Sequence, residues 1–242
     1  MTYEQIIHRL HEMRSPENVA GMAKFGINPT SALGISIYVL RKMAKEIKPD
    51  HALAERLWAS GIHEARILAA LVDEPKKLTE EQMERWVREF DSWDVCDQVC
   101  SNLFDQAPFA YRKAAEWSER EEEFVKRAGF VLMAALSVHD KKAPDEAFFP
   151  FFPIIIREAT DERNFVKKAV NWALRQIGKR NASLNGRAIA VAEEIRDIHS
   201  KTARWIASDT LRELTSEKVQ ARFEKRRRQV CTTPGQRSRK PV

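Results

Sequence analysis

Apolar residues recur along most of the chain at the spacing of amphipathic helices, in stretches separated by short polar breaks. Within residues 165–178, apolar side chains fall near one stripe of a helix, namely Phe165, Ala169, Trp172, Ala173 and Ile177. The pattern therefore predicts an all-α protein.

The helices are predicted to come in pairs, because each apolar first helix is followed by a short break and a second helix that opens with a charged residue. Equivalent positions in five successive second helices recur on average about 35 residues apart, and they are Arg66, Asp94, Arg127, Lys168 and Arg204. Such recurrence is typical of α-solenoids of the armadillo or HEAT type. We therefore expect an α-α superhelix, a HEAT-like repeat solenoid, with a concave groove lined by the second helices.

Composition agrees with this interpretation. The 242 residues include only 8 glycines and 10 prolines, which disfavours the turn-rich β-sandwiches and barrels. Helices are also predicted before the first repeat, near 3–13 and 36–47, with a shorter turn over 16–25 between them. Three cysteines do not make a disulfide framework, and no apolar run approaches the ~20 residues of a membrane span, so we expect a cytoplasmic protein.

The net charge of +6 is concentrated at the end of the chain. Residues 216–242 carry nine basic and two acidic side chains, whereas residues 1–215 are close to neutral. We therefore predict a helical-repeat domain over 1–215 and a basic, disordered tail over 216–242. Two interpretations of the tail stay open, a solvated end or a segment that contacts DNA.

The densest cluster of candidate functional residues is the motif SWDVCD at 92–97. Helical spacing places Trp93 and Asp97 at i and i+4 on one face, with Cβ atoms about 5–6 Å apart. A carboxylate beside an indole, if it is exposed in a groove, offers negative charge and a π face to a cation. The alternative is a helix cap followed by a core tryptophan.

Arg127 and Trp172 occur in the second helices of the next two repeats. Taken singly, Arg127 is more often a surface salt-bridge partner and Trp172 is more often a core residue. Together with Trp93 and Asp97, however, they would bring two indoles, a carboxylate and a guanidinium to one groove.

These motifs carry a resemblance to a known family. SWDVCD, VKRAGFVL and NFVKKAVNWALRQIGKRN are similar to the DNA alkylation repair family of AlkD-type DNA glycosylases, and the resemblance covers roughly residues 5–210. By motif, it implies that the active site consists of Trp93, Asp97, Arg127 and Trp172. In the similar stretch GMAKFGINPTSALGI, Phe25 stands where the family often has an aromatic residue with a hydroxyl.

The resemblance implies hydrolysis of the N-glycosidic bond of N3- or N7-alkylated purines in double-stranded DNA, without base flipping into a pocket and without strand cleavage. Asp97 would stabilise positive charge on the deoxyribose and orient water, Trp93 and Trp172 would pack against the sugar, and Arg127 would hold a phosphate. We expect a monomer that needs no metal or organic cofactor and has no membrane partner. The residues expected to contact DNA are Phe25, Lys126, Lys167, Lys168, Arg175 and Lys179.

Two rival functions stay open. Helical repeat proteins often serve as protein-binding scaffolds, and a DNA groove that has lost its chemistry would recognise branched or distorted DNA. The spacing of Cys96 and Cys100 is compatible with two metal ligands, but without a second ligand pair we interpret them as small buried residues. The tryptophans that recur in the repeat frame are interpreted as inter-helix packing residues, and they are Trp58, Trp86, Trp117 and Trp205.

Overall fold

Fourteen α-helices follow one another in the computed structural model, which describes residues 1–231, and that part of the chain contains no β-strand. The prediction of an all-α fold is confirmed. Within the same residues, no helix is both long enough and apolar enough to cross a membrane. The helices are α1 (Tyr3–Glu12), α2 (Pro16–Lys24), α3 (Ile37–Glu46), α4 (His51–Ala59), α5 (His63–Val72), α6 (Glu80–Arg88), α7 (Trp93–Asn102), α8 (Ala110–Ser118), α9 (Glu123–His139), α10 (Phe151–Glu158), α11 (Asn164–Gly178), α12 (Ala182–Arg196), α13 (Lys201–Leu214) and α14 (Glu217–Cys231).

Helices α4 to α13 form five successive pairs, and the repeat prediction is confirmed. The five positions chosen from the sequence all lie on second helices, namely α5, α7, α9, α11 and α13. Each of these helices contacts the next one in the series, whereas the first helices touch one another more sparsely. Because the second helices are the more closely packed layer, the superhelix curves toward them and they line its concave side.

The tryptophans on the first helices hold the outer layer together. The rings of Trp58 and Trp86 stack with their centroids 4.1 Å apart, and Trp117 packs against Phe104 at 5.8 Å. The inter-helix packing predicted for these three residues is therefore observed. Trp205 differs, because 42% of its surface is exposed on α13. Trp205 lies on a second helix, whereas the three packed tryptophans lie on first helices.

The predicted disorder of the tail is corrected for residues 217–231, which form helix α14. Val219 and Phe223, one helical turn apart, are buried and give the segment an apolar face to pack. The Gln220 side-chain amide donates hydrogen bonds to the Leu214 carbonyl at 2.6 Å and to Asn185 Oδ1 at 3.1 Å. The prediction of disorder rested on charge and did not take this apolar face into account. The rest of the predicted tail, 232–242, lies outside the described residues.

The N-terminal segment is fastened to the first repeat by a fully buried carboxylate. Glu64 on α5 accepts hydrogen bonds from the backbone N–H groups of Leu33, Gly34 and Ile35, at 2.8, 2.7 and 3.1 Å. Gly34 has a φ of 82°, and a Cβ there would lie 2.4 Å from the Ser15 carbonyl oxygen, so only glycine fits this turn. Three N–H groups thus converge on one carboxylate, which fixes how residues 15–35 approach the repeats.

We predict that Glu64→Gln lowers the free energy of unfolding by about 2–3 kcal/mol, because a neutral amide replaces an acceptor of three charge-assisted hydrogen bonds. Urea denaturation measures the loss, and hydrogen exchange should rise first at residues 33–35. Glu119→Gln removes a largely exposed carboxylate, which pairs with Arg157, and should change stability by less than about 0.5 kcal/mol. Equal stability of the two variants would contradict the anchoring role.

The close approach of α8 and α9 depends on Gly129. A Cβ at this position would lie 2.6 Å from the Ser118 nitrogen and 2.9 Å from the Ala114 carbonyl oxygen, both of them backbone atoms of α8. Backbone cannot rotate away as a flexible side chain can, so any substitution would push the two helices apart.

We therefore predict that Gly129→Ala lowers the free energy of unfolding by about 1–3 kcal/mol, although alanine favours helix. Gly186→Ala on α12 is the matched control, since no atom lies within 4 Å of a Cβ there. It should raise stability by up to about 1 kcal/mol through helix propensity alone. Thermal unfolding of both variants tests the prediction, and a neutral Gly129→Ala would refute it.

Candidate functional site

An ion pair between Asp97 on α7 and Arg127 on α9 lies at the centre of the candidate site. The Arg127 Nε donates to Asp97 Oδ1 and Nη2 donates to Oδ2, both at 2.9 Å, so the pair is bidentate. The remaining terminal nitrogen, Nη1, donates to the Phe165 carbonyl on α11 at 2.6 Å. The sequence predicted both residues for this site, and their direct pairing is a feature of the tertiary structure.

Burial sets the electrostatics of this pair. Arg127 is 6% exposed and the Asp97 side chain 17% exposed. Burial raises the pKa of the Asp97 carboxyl above its usual value, although Arg127 works in the opposite direction. Arg127 therefore does not fully offset the cost of burying the ionised Asp97 carboxylate. A further cation arriving at its exposed edge would be stabilised.

Trp93 is the first residue of α7 and lies one helical turn before Asp97. Its indole Nε1 donates to the Phe25 carbonyl at 3.1 Å. Trp93 is partly exposed and is not among the described side chains that pack against the main core. The alternative of a buried core tryptophan is therefore not what the structure has.

Phe25 and Gly26 connect the N-terminal segment to this site. The Phe25 side chain is 75% exposed, and its backbone carbonyl rather than its ring binds Trp93. Gly26 has a φ of 75°, and a Cβ there would lie 2.6 Å from the Phe165 ring. Residues 25 and 26 therefore touch both α7 and α11. The Phe165 residue that packs on Gly26 also holds Arg127 through its carbonyl.

Trp172 lies on α11 and is partly buried against the main core. Its indole N–H has no hydrogen-bond partner among residues 1–231, and it is not one of the buried unpaired atoms there. The ring therefore combines a core-packed side with an accessible polar edge. No described ring contact or hydrogen bond joins Trp172 to Asp97 or Arg127.

Asp94, within the same motif, has a different role that the sequence did not reveal. It accepts a hydrogen bond from Ser92 Oγ at 2.7 Å and pairs with the buried His63 Nε2 at 2.8 Å. Burial lowers the pKa of His63, but the hydrogen bond and charge of Asp94 outweigh it and the net shift is upward. Asp94 thus ties α7 to α5. Its bonds to His63 and Ser92 distinguish it from Asp97, which pairs with Arg127.

Of the cations predicted to contact DNA, Lys126 is bound within the protein. Its Nζ lies 2.6 Å from Glu158 and 3.8 Å from Asp161. The lysine side chain is mostly buried by these neighbours. A phosphate would have to compete with two carboxylates for it.

Arg175 and Lys179 are paired in the same way along the seam between α11 and α13. Arg175 lies 2.5 Å from Asp209 and 2.9 Å from Glu213, and Lys179 lies 2.8 Å from Glu213. These acidic residues lie on α13, in the last repeat. The spacing of residues within α11 could not predict this pairing. Three of the predicted cations are therefore already paired with carboxylates.

Lys167 and Lys168 remain available at the beginning of α11. Lys168 is exposed and has no ion pair among the described residues. The Lys167 ammonium lies 6.0 Å from the centroid of the exposed Trp205 ring, a weak cation–π contact. The local geometry therefore leaves these two lysines accessible for the phosphate contacts that were predicted for them.

The two cysteines of α7 are fully buried, as the sequence predicts for small apolar side chains. Cys96 Sγ lies 3.7 Å from the Phe124 carbonyl and Cys100 Sγ 3.9 Å from the Ala128 carbonyl, so both face α9. Across residues 1–231, no group of three or more His, Cys, Asp or Glu side chains is arranged to hold a metal ion.

Known proteins are similar to this chain in sequence or in fold. Two relatives are the uncharacterized proteins Lin0241 of Listeria innocua serovar 6a, 24% identical over 204 residues, and Lmo0209 of Listeria monocytogenes serovar 1/2a, 22% identical over 207 residues. Each alignment covers 82% of this chain and 88% of the relative.

A solved structure has the same fold, with a TM-score of 0.71 and 20% identity over 88% of this chain and 95% of that chain. It is described as representing a new family of proteins related to the HEAT-like repeat DNA glycosylases with affinity for branched DNA structures. The model of the DNA alkylation repair enzyme family matches residues 6–214. These residues include every helix from α2 to α13 and all four predicted active-site positions. The chain therefore belongs to the family of DNA alkylation repair enzymes.

Proposed function

We propose that this protein is a monofunctional DNA glycosylase that hydrolyses the N-glycosidic bond of cationic N3- or N7-alkylated purines, acting as a monomer on double-stranded DNA. The observation that carries the proposal is the environment of Asp97. Its carboxylate is fixed by Arg127, burial raises its pKa, and a partly exposed indole lies one turn before it. Such a group interacts more strongly with a cation that forms during a reaction than a solvated carboxylate would.

The chemistry requires little else from the protein. An alkylated purine already carries positive charge, so it departs with the electron pair of the C1′–N bond and needs no general acid. Positive charge then develops on the deoxyribose, where the Asp97 carboxylate stabilises it. A water oxygen bonds to C1′ and loses a proton to bulk water, which leaves an abasic site and the free base. Trp93 and Trp172 contribute their π faces to the cationic sugar.

Arg127 has a positioning role in this proposal. All three of its nitrogens already donate within the protein, two to Asp97 and one to the Phe165 carbonyl. These bonds use three of its five N–H groups, but the residue is only 6% exposed, so a phosphate has little access for the contact that the family resemblance implied. We therefore assign Arg127 to holding the carboxylate in place and keeping it ionised.

Asp97→Asn should reduce the release of 7-methylguanine from methylated duplex about 10²–10³-fold, because the preorganised negative charge is lost. Duplex binding should be nearly unchanged. Chromatographic detection of the free base measures the reaction, with circular dichroism to establish that the variant is folded.

Asp94→Asn is the matched control, since it removes a carboxylate of the same motif that is bound to His63 and Ser92. This variant should keep the wild-type rate per folded molecule. Undiminished base release by Asp97→Asn would refute the assignment.

Arg127→Gln should move the acid limb of the base-release pH profile to higher pH. The pKa of Asp97 is raised by burial and held down by Arg127, so loss of the guanidinium lets it rise further. Activity that needs the ionised carboxylate is then lost at a higher pH. Arg127→Lys keeps the charge and should show a smaller shift. An acid limb at the wild-type position in both variants would exclude the positioning role.

A second candidate function is binding of branched or distorted DNA without catalysis. The observation that favours it is the pairing of Lys126, Arg175 and Lys179 with carboxylates, which leaves less charge for a straight duplex. The solved structure of similar fold is also described with affinity for branched DNA. Wild-type protein that binds a four-way junction more tightly than duplex and releases no base would favour this function. Binding insensitive to salt would favour a protein scaffold instead.

A further inference from the structure

Helix α14 lies beyond residues 6–214, the part of the chain that matches the family. Its position is nevertheless fixed, because Val219 and Phe223 are buried and Gln220 is hydrogen-bonded to the end of α13. The buried face determines which of the remaining side chains face outward. Lys218, Arg222 and Lys225 therefore have a definite placement on this helix.

Three basic residues of this helix share one side. Lys218, Arg222 and Lys225 occupy positions i, i+4 and i+7, so they share one side, and all three are exposed. Glu217 and Glu224 are also i and i+7 and share a different side. The basic side spans about 10 Å along the helix axis, which is longer than a single small anion.

The basic side continues into a cavity of about 460 Å³ between the C-terminal ends of α9 and α11. Arg222 lines this cavity together with Lys141, Lys179 and Arg180. One carboxylate, that of Asp145, faces the same space. The cavity is separate from the Asp97 site, because its α9 residues begin at Ser137, ten positions along the helix from Arg127.

Three of the charged residues that line the cavity are already bonded to other residues of the protein. Arg180 donates to the carbonyls of Ser137 and Ala143, at 3.0 and 2.6 Å. Asp145 accepts from the Asn181 amide at 2.6 Å, and Lys179 is paired with Glu213. Lys141 and Arg222 differ, since both are exposed and neither has an ion pair or hydrogen bond from its side chain within residues 1–231.

We propose that Lys141 and Arg222, together with the basic side of α14, bind phosphate groups of a DNA backbone beyond the stretch held on the concave side. An extended row of exposed cations next to a basic cavity matches a polyanion better than an isolated phosphate ion. The inference rests on DNA as the partner in the proposed function, but it does not require Asp97 to be catalytic. It assigns to α14 a DNA contact outside the family domain.

The test is the double variant Lys141→Ala/Arg222→Ala of the full chain, titrated against a fluorescein-labelled undamaged duplex between about 50 and 200 mM salt. Two lost phosphate contacts should weaken binding at the lower salt about tenfold or more. They should also make the slope of log affinity against log salt shallower by about 2. Thermal unfolding should be unchanged, because both side chains are exposed.

Lys48→Ala/Lys76→Ala is the charge-matched control, with exposed lysines in the loops after α3 and α5 that have no ion pair among the described residues. It should keep the wild-type slope. A wild-type slope in the Lys141/Arg222 variant overturns the proposal, and so does an equal change in the control. The measurement uses no alkylated base, so loss of the catalytic proposal through the Asp97→Asn assay would leave this result standing.

Discussion

The bidentate pair of Asp97 and Arg127 is the interaction on which the site depends. It joins α7 to α9, and through the Phe165 carbonyl it also joins α9 to α11, so three successive repeats are held together at one point. Breaking a buried pair by removing one partner leaves an uncompensated charge, which typically costs about 3–5 kcal/mol. The arrangement therefore serves both stability and electrostatics. A carboxylate fixed in this way needs no reorganisation when a cation forms beside it.

The N-terminal segment contacts two neighbours of this pair, Trp93 and Phe165. Phe25 contributes a carbonyl to Trp93, and Gly26 contributes a surface without a Cβ to the Phe165 ring. The replacement of a hydroxylated aromatic by Phe25 therefore does not affect the contact that places Trp93. Glu64 fixes the far end of the same segment through three backbone N–H groups. A distant buried carboxylate thus helps to define the geometry around Asp97.

Charge is distributed differently in the repeats and in α14. Within the repeats, Lys126, Arg175 and Lys179 are paired with carboxylates of neighbouring helices. On α14, Lys218, Arg222 and Lys225 are exposed on one side, and Arg222 extends that side into a cavity. Affinity for phosphate follows the local density of unpaired cations. In our proposal, α14 therefore contributes more to DNA binding than the paired cations of the repeats do.

Helical periodicity, the recurrence of second helices and the four residue types of the site were all determined by the sequence, because these depend on local spacing. Three features were decided only by the tertiary structure: the pairing of Asp97 with Arg127, the neutralisation of Lys126, Arg175 and Lys179, and the exposure of Trp205. The ion pairs join residues 30 or more positions apart, which helix packing brings together. The tail shows the same limit, since its charges predicted disorder while the packing of Val219 and Phe223 produced a helix. Sequence spacing fixes the side of a helix on which a residue lies, but the neighbouring repeats decide its partner, and with it the charge available to a ligand.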